Sequence, residues 1–221
     1  MELVKEELHE IERQLSCPSG RKGIETAIVM NNTNINMTKA SVDALKISNN
    51  DVVLELGHGN CGHLNYILKK ASKLSYIGLE ISETMKLEAE KQLIDNQYSS
   101  SVSFTLYNGE KLPLKARCIH KIFTVNTLYF WKNPKEFLEE ISRVLSKNGI
   151  CIITFAQKDF MDKLPFVGKK FKVYNTTDFE LLVKNSPLKI DQFIHKTEKI
   201  KTQTNLLINR NFTIAILKHK I

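Results

Sequence analysis

The apolar positions of this chain change their period along its length. Val4, Leu8, Ile11 and Leu15 recur at helical spacing with charges between them. That pattern predicts one amphipathic helix over 2–15, ending before Cys17-Pro18-Ser19-Gly20. Residues 17–37 are rich in Gly, Asn and Ser and predict a loop with a short helix. Ala40, Ala44 and Ile47 then share a helical face over 38–47.

From residue 51 short apolar runs alternate with helical stretches. Strands are predicted over 51–56, 75–81, 102–107, 121–126 and 149–155, with helices over 61–72, 83–96 and 134–146. Ser82 suits the cap of the second of these helices. Asn133-Pro134-Lys135-Glu136 supplies a cap, a first-turn proline and a third-position Glu, and Asn148-Gly149 stops that helix. The alternation predicts an α/β fold, a doubly wound and mostly parallel sheet with helices on both faces. The tail differs: Thr177-Asp178-Phe179-Glu180 reads as a capping box for a helix to Lys184. Two strands, 188–197 and 206–217, follow with only a loop between them, so they should be antiparallel.

At 221 residues one domain is expected. Its parts are an N-terminal helical cap over 1–47, a ligand-binding core over 48–155, and the rest of the sheet with the substrate side over 156–221. No apolar run approaches the ~18 residues of a membrane span, and the acidic start does not read as a secretory signal, so a cytoplasmic protein is expected. Cys17, Cys61, Cys118 and Cys151 are scattered and lack zinc-site spacing; they read as free thiols, and no metal is expected. The net charge of +8 reflects lysines interleaved with strand residues in the C-terminal third. It reads as a solvated surface, with an anionic partner as the alternative.

The sharpest segment is Val52-Val53-Leu54-Glu55-Leu56-Gly57-His58-Gly59-Asn60-Cys61-Gly62. Gly57, Gly59 and Gly62 form a G-x-G-x-x-G turn between a strand and a helix, where a ligand approaches bare backbone. Glu55 separates the possible ligands, because a strand-end carboxylate is costly to bury without a partner. Dinucleotide enzymes place an apolar residue there. Leu54-Glu55-Leu56-Gly57-x-Gly59-x-x-Gly62 resembles instead the first motif of class I S-adenosylmethionine (SAM)-dependent methyltransferases. Three further segments resemble that family in order: Tyr76-Ile77-Gly78-Leu79-Glu80-Ile81-Ser82, Asn108-Gly109-Glu110-Lys111-Leu112-Pro113, and Glu139 to Gly149. The similarity covers residues 50–155 and is greatest to the type 11 methyltransferases, which resemble quinone-biosynthesis enzymes.

The resemblance implies a Rossmann-like fold, SAM as cofactor and S-adenosylhomocysteine as product. It also implies site residues. Glu55 would orient the methionine portion, and Gly57, Gly59, Asn60 and Gly62 would form the loop beneath it. Glu80, with Ile81, would hold the ribose. Asn108, Gly109 and Glu110 would border the adenine, with Asn108 replacing the family's usual Asp. Asn126, after strand four, should border the methyl group together with Thr127. Tyr129, Phe130 and Trp131 would either wall an apolar acceptor or pack under the next helix. His58, Asn126 and Tyr129 are the candidates for a catalytic role, and His63 is a second histidine in reach. Arg21, Lys22, Asn32, Asn36 and Met37 would belong to a lid that excludes water.

The function expected is methyl transfer to a small-molecule acceptor by a monomer or homodimer. A nucleic-acid methylase is the alternative raised by charge, but Asn126-Thr127-Leu128-Tyr129 lacks the Pro-Pro-aromatic segment of amino-group methylases. An oxidoreductase would leave Glu55 unexplained. A SAM-binding module without turnover also fits the motifs.

Overall fold

A computed structural model of the chain describes residues 5–93, 101–201 and 207–220. Residues 2–4 of the first predicted helix, 94–96 of the one predicted over 83–96 and 206 of the last strand lie outside them. Seven strands form one sheet in the order β3-β2-β1-β4-β5-β7-β6. They are β1 (Val52–Leu56), β2 (Ser75–Glu80), β3 (Val102–Leu106), β4 (Ile119–Val125), β5 (Leu145–Ala156), β6 (Leu188–Lys201) and β7 (Leu207–His219). β1 to β5 pair in parallel, whereas β7 is antiparallel to both β5 and β6. The expected doubly wound sheet with an antiparallel terminal pair is therefore present.

The chain runs outward from β1 to β2 and β3, then returns to β4 on the other side of β1. Strand order reverses at β1, and ligands bind outside the carboxyl ends of strands at such a switch point. One core cluster joins Leu54, Leu56, Ile122, Ile153 and Phe155 to the inner face of α5 (Pro134–Val144). The other joins Val53, Tyr76, Phe123 and Ile152 to the helical cap through Met37, Val42 and Leu45.

Four elements differ from the sequence expectation. The cap is α1 (Lys5–Ser16) followed by a single 25-residue helix, α2 (Gly20–Ala44), where a loop with a short helix was expected. Its inner stripe is Ala27, Met30, Asn31, Asn34, Met37, Thr38, Ser41, Val42 and Leu45, a helical period written partly in polar residues. Two of those polar side chains meet distant strands: Ser41 bonds to Thr154 at 2.6 Å, and Asn34 accepts from Arg210 at 2.9 Å. Tertiary contacts thus override the weak intrinsic helix preference of Asn and Gly.

Next, α3 spans only Leu64–Leu68 instead of 61–72. Its ends tighten into i→i+3 bonds, Leu64 to Cys61 and Lys70 to Ile67, because the glycine loop runs on through His63. Helix α5 stops at Val144 rather than Ser146. β5 begins at once, and its register shifts between Ile119↔Leu145 and Lys121↔Ile150, so residues 146–149 bulge out of the ladder. The last capping box is built by Asn175 and Asp178, two residues before the expected cap, and opens α7 (Thr176–Lys184). A short α6 (Lys158–Met161) precedes it. As expected, Ser82 caps α4 (Glu83–Lys91), accepting from the Met85 amide at 3.1 Å.

Candidate active site

The glycine loop leaves β1 as a left-handed turn. Gly57 has φ +73°, and a Cβ there would lie 2.5 Å from the Thr127 methyl group. Only glycine fits both restrictions. Gly59, at φ +57°, has open space where its side chain would be, so the loop offers bare backbone to a ligand. The Asn60 side chain accepts from the Gly62 amide at 3.2 Å and closes the loop. The Asn31 side chain of α2 presses on Gly62 from above, 3.0 Å from where a Cβ would stand.

Two buried carboxylates flank this loop. Glu55, 3% exposed, ends β1. It accepts from His63 Nε2 at 2.8 and 3.0 Å and from the Tyr76 hydroxyl at 2.5 Å. The Tyr76 hydroxyl also meets Cys61 Sγ at 3.3 Å. Burial pushes the Tyr76 hydroxyl and the Cys61 thiol well above their ordinary values, so both stay protonated. Ligand atoms of Glu55, Cys61 and His63 lie within 4.8 Å of one another. Glu55 and His63 meet directly, whereas Cys61 reaches Glu55 through the Tyr76 hydroxyl. Glu80, 5% exposed, ends β2. It accepts from the amides of Gly59 at 3.0 Å, Ile81 at 2.7 Å and Ser82 at 3.0 Å. The carboxylate thereby fastens the glycine loop to the neighbouring strand.

His58 points under the loop, against Phe104 at 4.8 Å between ring centroids. Its Nδ1 lies 2.7 Å from the Gly59 carbonyl, an acceptor only, so Nδ1 carries the proton. Nε2 is then a lone-pair acceptor, and it is buried without a partner among the described residues. Burial lowers the imidazole pKa, against the opposing pull of Glu80 and Glu55, and favours the neutral ring.

The remaining predicted residues separate into two groups. Ile81 is half exposed and lies 3.3 Å from the Cβ position of Gly109, so the two form one slot at the ends of β2 and β3. Asn108 Oδ1 already accepts from the amides of Glu110 and Lys111, both at 2.9 Å. Asn108 is left with its amide nitrogen as the group to offer, a donor where an acceptor is usual. The Glu110 side chain turns to the surface and pairs with Lys132 at 2.8 Å.

Asn126, at φ +58°, and Tyr129 form a brace between strand ends. The Tyr129 hydroxyl donates to Asn126 Oδ1 at 3.0 Å and accepts from the Ala156 amide at 2.7 Å. Tyr129 is 3% exposed, and burial raises its hydroxyl pKa. Trp131 packs edge-on against Phe137 and donates to Thr127 at 3.2 Å. Of the two expectations for these aromatics, Tyr129 and Trp131 follow the packing one. Arg21 sits on the exposed side of α2, paired with Glu25 at 3.1 Å.

Sequence reasoning expected a lid here but named none of the α2 residues that line the cavity beneath it. A cavity of about 80 Å³ lies between the glycine loop, with Glu55 and His63, and the α2 residues Ala27, Met30, Asn31, Asn34 and Thr38. Reading 20–44 as one helix would have put these five on one face. A second, wider concavity of about 720 Å³ opens past the carboxyl end of β5, lined by Gln157, Lys158, Asp159, Asp162, Lys196 and others.

Comparison with known proteins agrees with this geometry. Residues 54–153 match a family model described as a methyltransferase domain. The chain is 24% identical over 152 residues to the uncharacterized methyltransferase YdaC of Bacillus subtilis, covering 69% of this chain and 81% of that one. Its fold resembles a chain of the complex between the Trm112 methyltransferase activator of Haloferax volcanii and its methyltransferase, at a TM-score of 0.71, 14% identity, and 88% and 94% coverage of the two chains. A SAM-dependent methyltransferase from Aquifex aeolicus aligns over 97% of this chain and 99% of its own, at a TM-score of 0.60 and 15% identity. Residues 54–153, which carry the glycine loop and the acidic strand ends, are thus a methyltransferase domain, in a fold shared with SAM-dependent methyltransferases, and SAM is its cofactor.

Proposed function

We propose that the chain transfers the SAM methyl group to a small-molecule acceptor by in-line displacement. One observation carries the reading: two buried, hydrogen-bonded carboxylates, Glu55 and Glu80, flank an open glycine loop at the sheet's switch point. In this reading Glu80 Oε2, which accepts a single backbone bond, takes a ribose hydroxyl. The Glu55–His63 pair borders the methionine portion. The adenine lies in the slot of Ile81 and Gly109 beside the Asn108 amide. The sulfonium is already an activated donor, so alignment and water exclusion can lower the barrier without a strong base.

The wider concavity past β5 supports a small acceptor over a nucleic acid. Its lining sets Asp159 and Asp162 against Lys158 and Lys196, so it offers no single-sign groove for a phosphate backbone. The cavity beneath α2 opens to solvent, so the helix roofs the glycine loop without sealing it.

Thermal shift tests the reading. SAM or S-adenosylhomocysteine at 100 times its Kd should add about 2.7 kcal/mol, or roughly 5–10 °C at this size, with no shift from NADH. Methyl transfer to phenols or small amines, set against tRNA and duplex DNA, then tests the acceptor class. Turnover on the nucleic acids alone, with salt-sensitive binding, would replace this proposal.

A further inference from the structure

Arg210 of β7 is 5% exposed although its strand lies far from the glycine loop in sequence. Its guanidinium donates to Glu198 Oε1 at 2.8 and 3.1 Å, to the Thr33 carbonyl at 2.6 Å, and to Asn34 Oδ1 at 2.9 Å. Glu198 in turn accepts from Asn36 at 3.1 Å. The β6–β7 hairpin thereby grips α2 at its midpoint, beside the residues that roof the cavity.

The grip has a chemical consequence. A guanidinium can only donate, so it fixes which end of the Asn34 amide faces it. The oxygen is committed to Arg210, and the NH₂ group is turned to the other side of a side chain that lines the cavity. The Glu55 carboxylate on the opposite wall and the Glu80 carboxylate behind the loop offer acceptors to the cofactor's ammonium and hydroxyl groups. They offer nothing to its carboxylate, which needs donors.

We infer that Asn34 donates to the carboxylate of the cofactor's methionine portion, with Arg210 as the positioning residue that orients it. The inference rests on the cofactor lying between α2 and the glycine loop. It adds a part of the site that no motif of the sequence encodes, since Asn34 and Arg210 stand 176 positions apart.

Asn34→Asp separates this from a structural role. Aspartate keeps the oxygen for Arg210 and strengthens that bond, but it replaces the donor with a second acceptor. Calorimetric titration would compare S-adenosylhomocysteine with 5′-methylthioadenosine, which lacks the amino-acid portion. Asn34→Asp should bind S-adenosylhomocysteine about 10- to 100-fold more weakly and methylthioadenosine within about twofold of the parent, with an unchanged or raised Tm. Equal weakening of both ligands, or of neither, would overturn the inference. Should Asn34→Asp fail to fold, Arg210→Lys keeps the charge but loses the fork. It should weaken S-adenosylhomocysteine about 5- to 10-fold and spare methylthioadenosine, whereas a lowered Tm without that split would sink the proposal. A parent protein that bound neither nucleoside would overturn the reading of the cavity itself, and this inference with it.

Discussion

The ends of β1 and β2 each bury a carboxylate, yet they satisfy it by opposite means. Glu55 depends on side chains, His63 and Tyr76, with Cys61 behind them. Glu80 depends, among the described residues, on the backbone amides of Gly59, Ile81 and Ser82. A side-chain network can be dismantled one partner at a time. A backbone-held carboxylate is fixed by the path of the chain, and only its own replacement tests it. The first arrangement is tunable and the second is architectural.

Predictions follow that contrast. Glu80→Ala has the largest expected effect, since it strands three amides and frees the glycine loop. Each buried donor left without its acceptor costs about 1–3 kcal/mol. A scanning calorimeter should record a Tm roughly 10 °C lower. S-adenosylhomocysteine binding should fall by at least about 100-fold. An intact Tm would show that the backbone at β2 holds its path without the carboxylate.

Gly57→Val comes next, because it forces a side chain onto Thr127 at a left-handed φ. A cost of about 2–4 kcal/mol is expected from the sum of overpacking and strain. Adding Thr127→Ser removes the clashing methyl and should recover part of that loss but not all of it. Full recovery would mean that φ at residue 57 contributes nothing.

Tyr76→Phe should cost less, about 1–3 kcal/mol, because Glu55 keeps His63. Urea denaturation with an unchanged m-value would confirm it. A loss as large as that of Glu80→Ala would erase the distinction drawn above.

The smallest effect is that of pH. Burial lowers the His58 pKa below its ordinary 6.5, so the unfolded chain binds this proton more readily than the folded one. Stability from this residue is therefore present above about pH 6.5 and declines as pH falls below it. The decline is at most about 1.4 kcal/mol per pH unit. His58→Gln should flatten the Tm profile between pH 6.5 and 5.5; an unchanged slope would assign the proton to another group.

The sequence disclosed one half of the site far better than the other. Glu55, Gly57, Gly59 and Glu80 were legible because chemistry restricts those positions: a turn at positive φ admits little but glycine, and a strand-end carboxylate demands partners. The parallel sheet and its antiparallel tail were legible for the same kind of reason, since strand period and loop length constrain pairing. The roof was not. The inner stripe of α2 carries Asn31, Asn34, Thr38 and Ser41 where a hydropathy pattern looks for apolar residues, so its helical period was invisible as hydrophobicity. The Asn126–Tyr129 brace was hidden differently, because only the fold brings Ala156 against them. Polar residues that serve a ligand or a distant strand look, in one dimension, like loop.

The position of β7 has a consequence for how the chain is made. It follows β6 in sequence but lies between β5 and β6 in the sheet. On a ribosome adding about 5–20 residues per second, the 18 residues from Lys201 to His219 take roughly 1–4 s to appear. During that interval β5 presents an open edge and β6 has no strand to pair with. Such edges recruit other chains. The nascent sheet is therefore most vulnerable to aggregation just before β7 emerges, and a chaperone acting in those seconds would protect it more than one acting after β7 has paired.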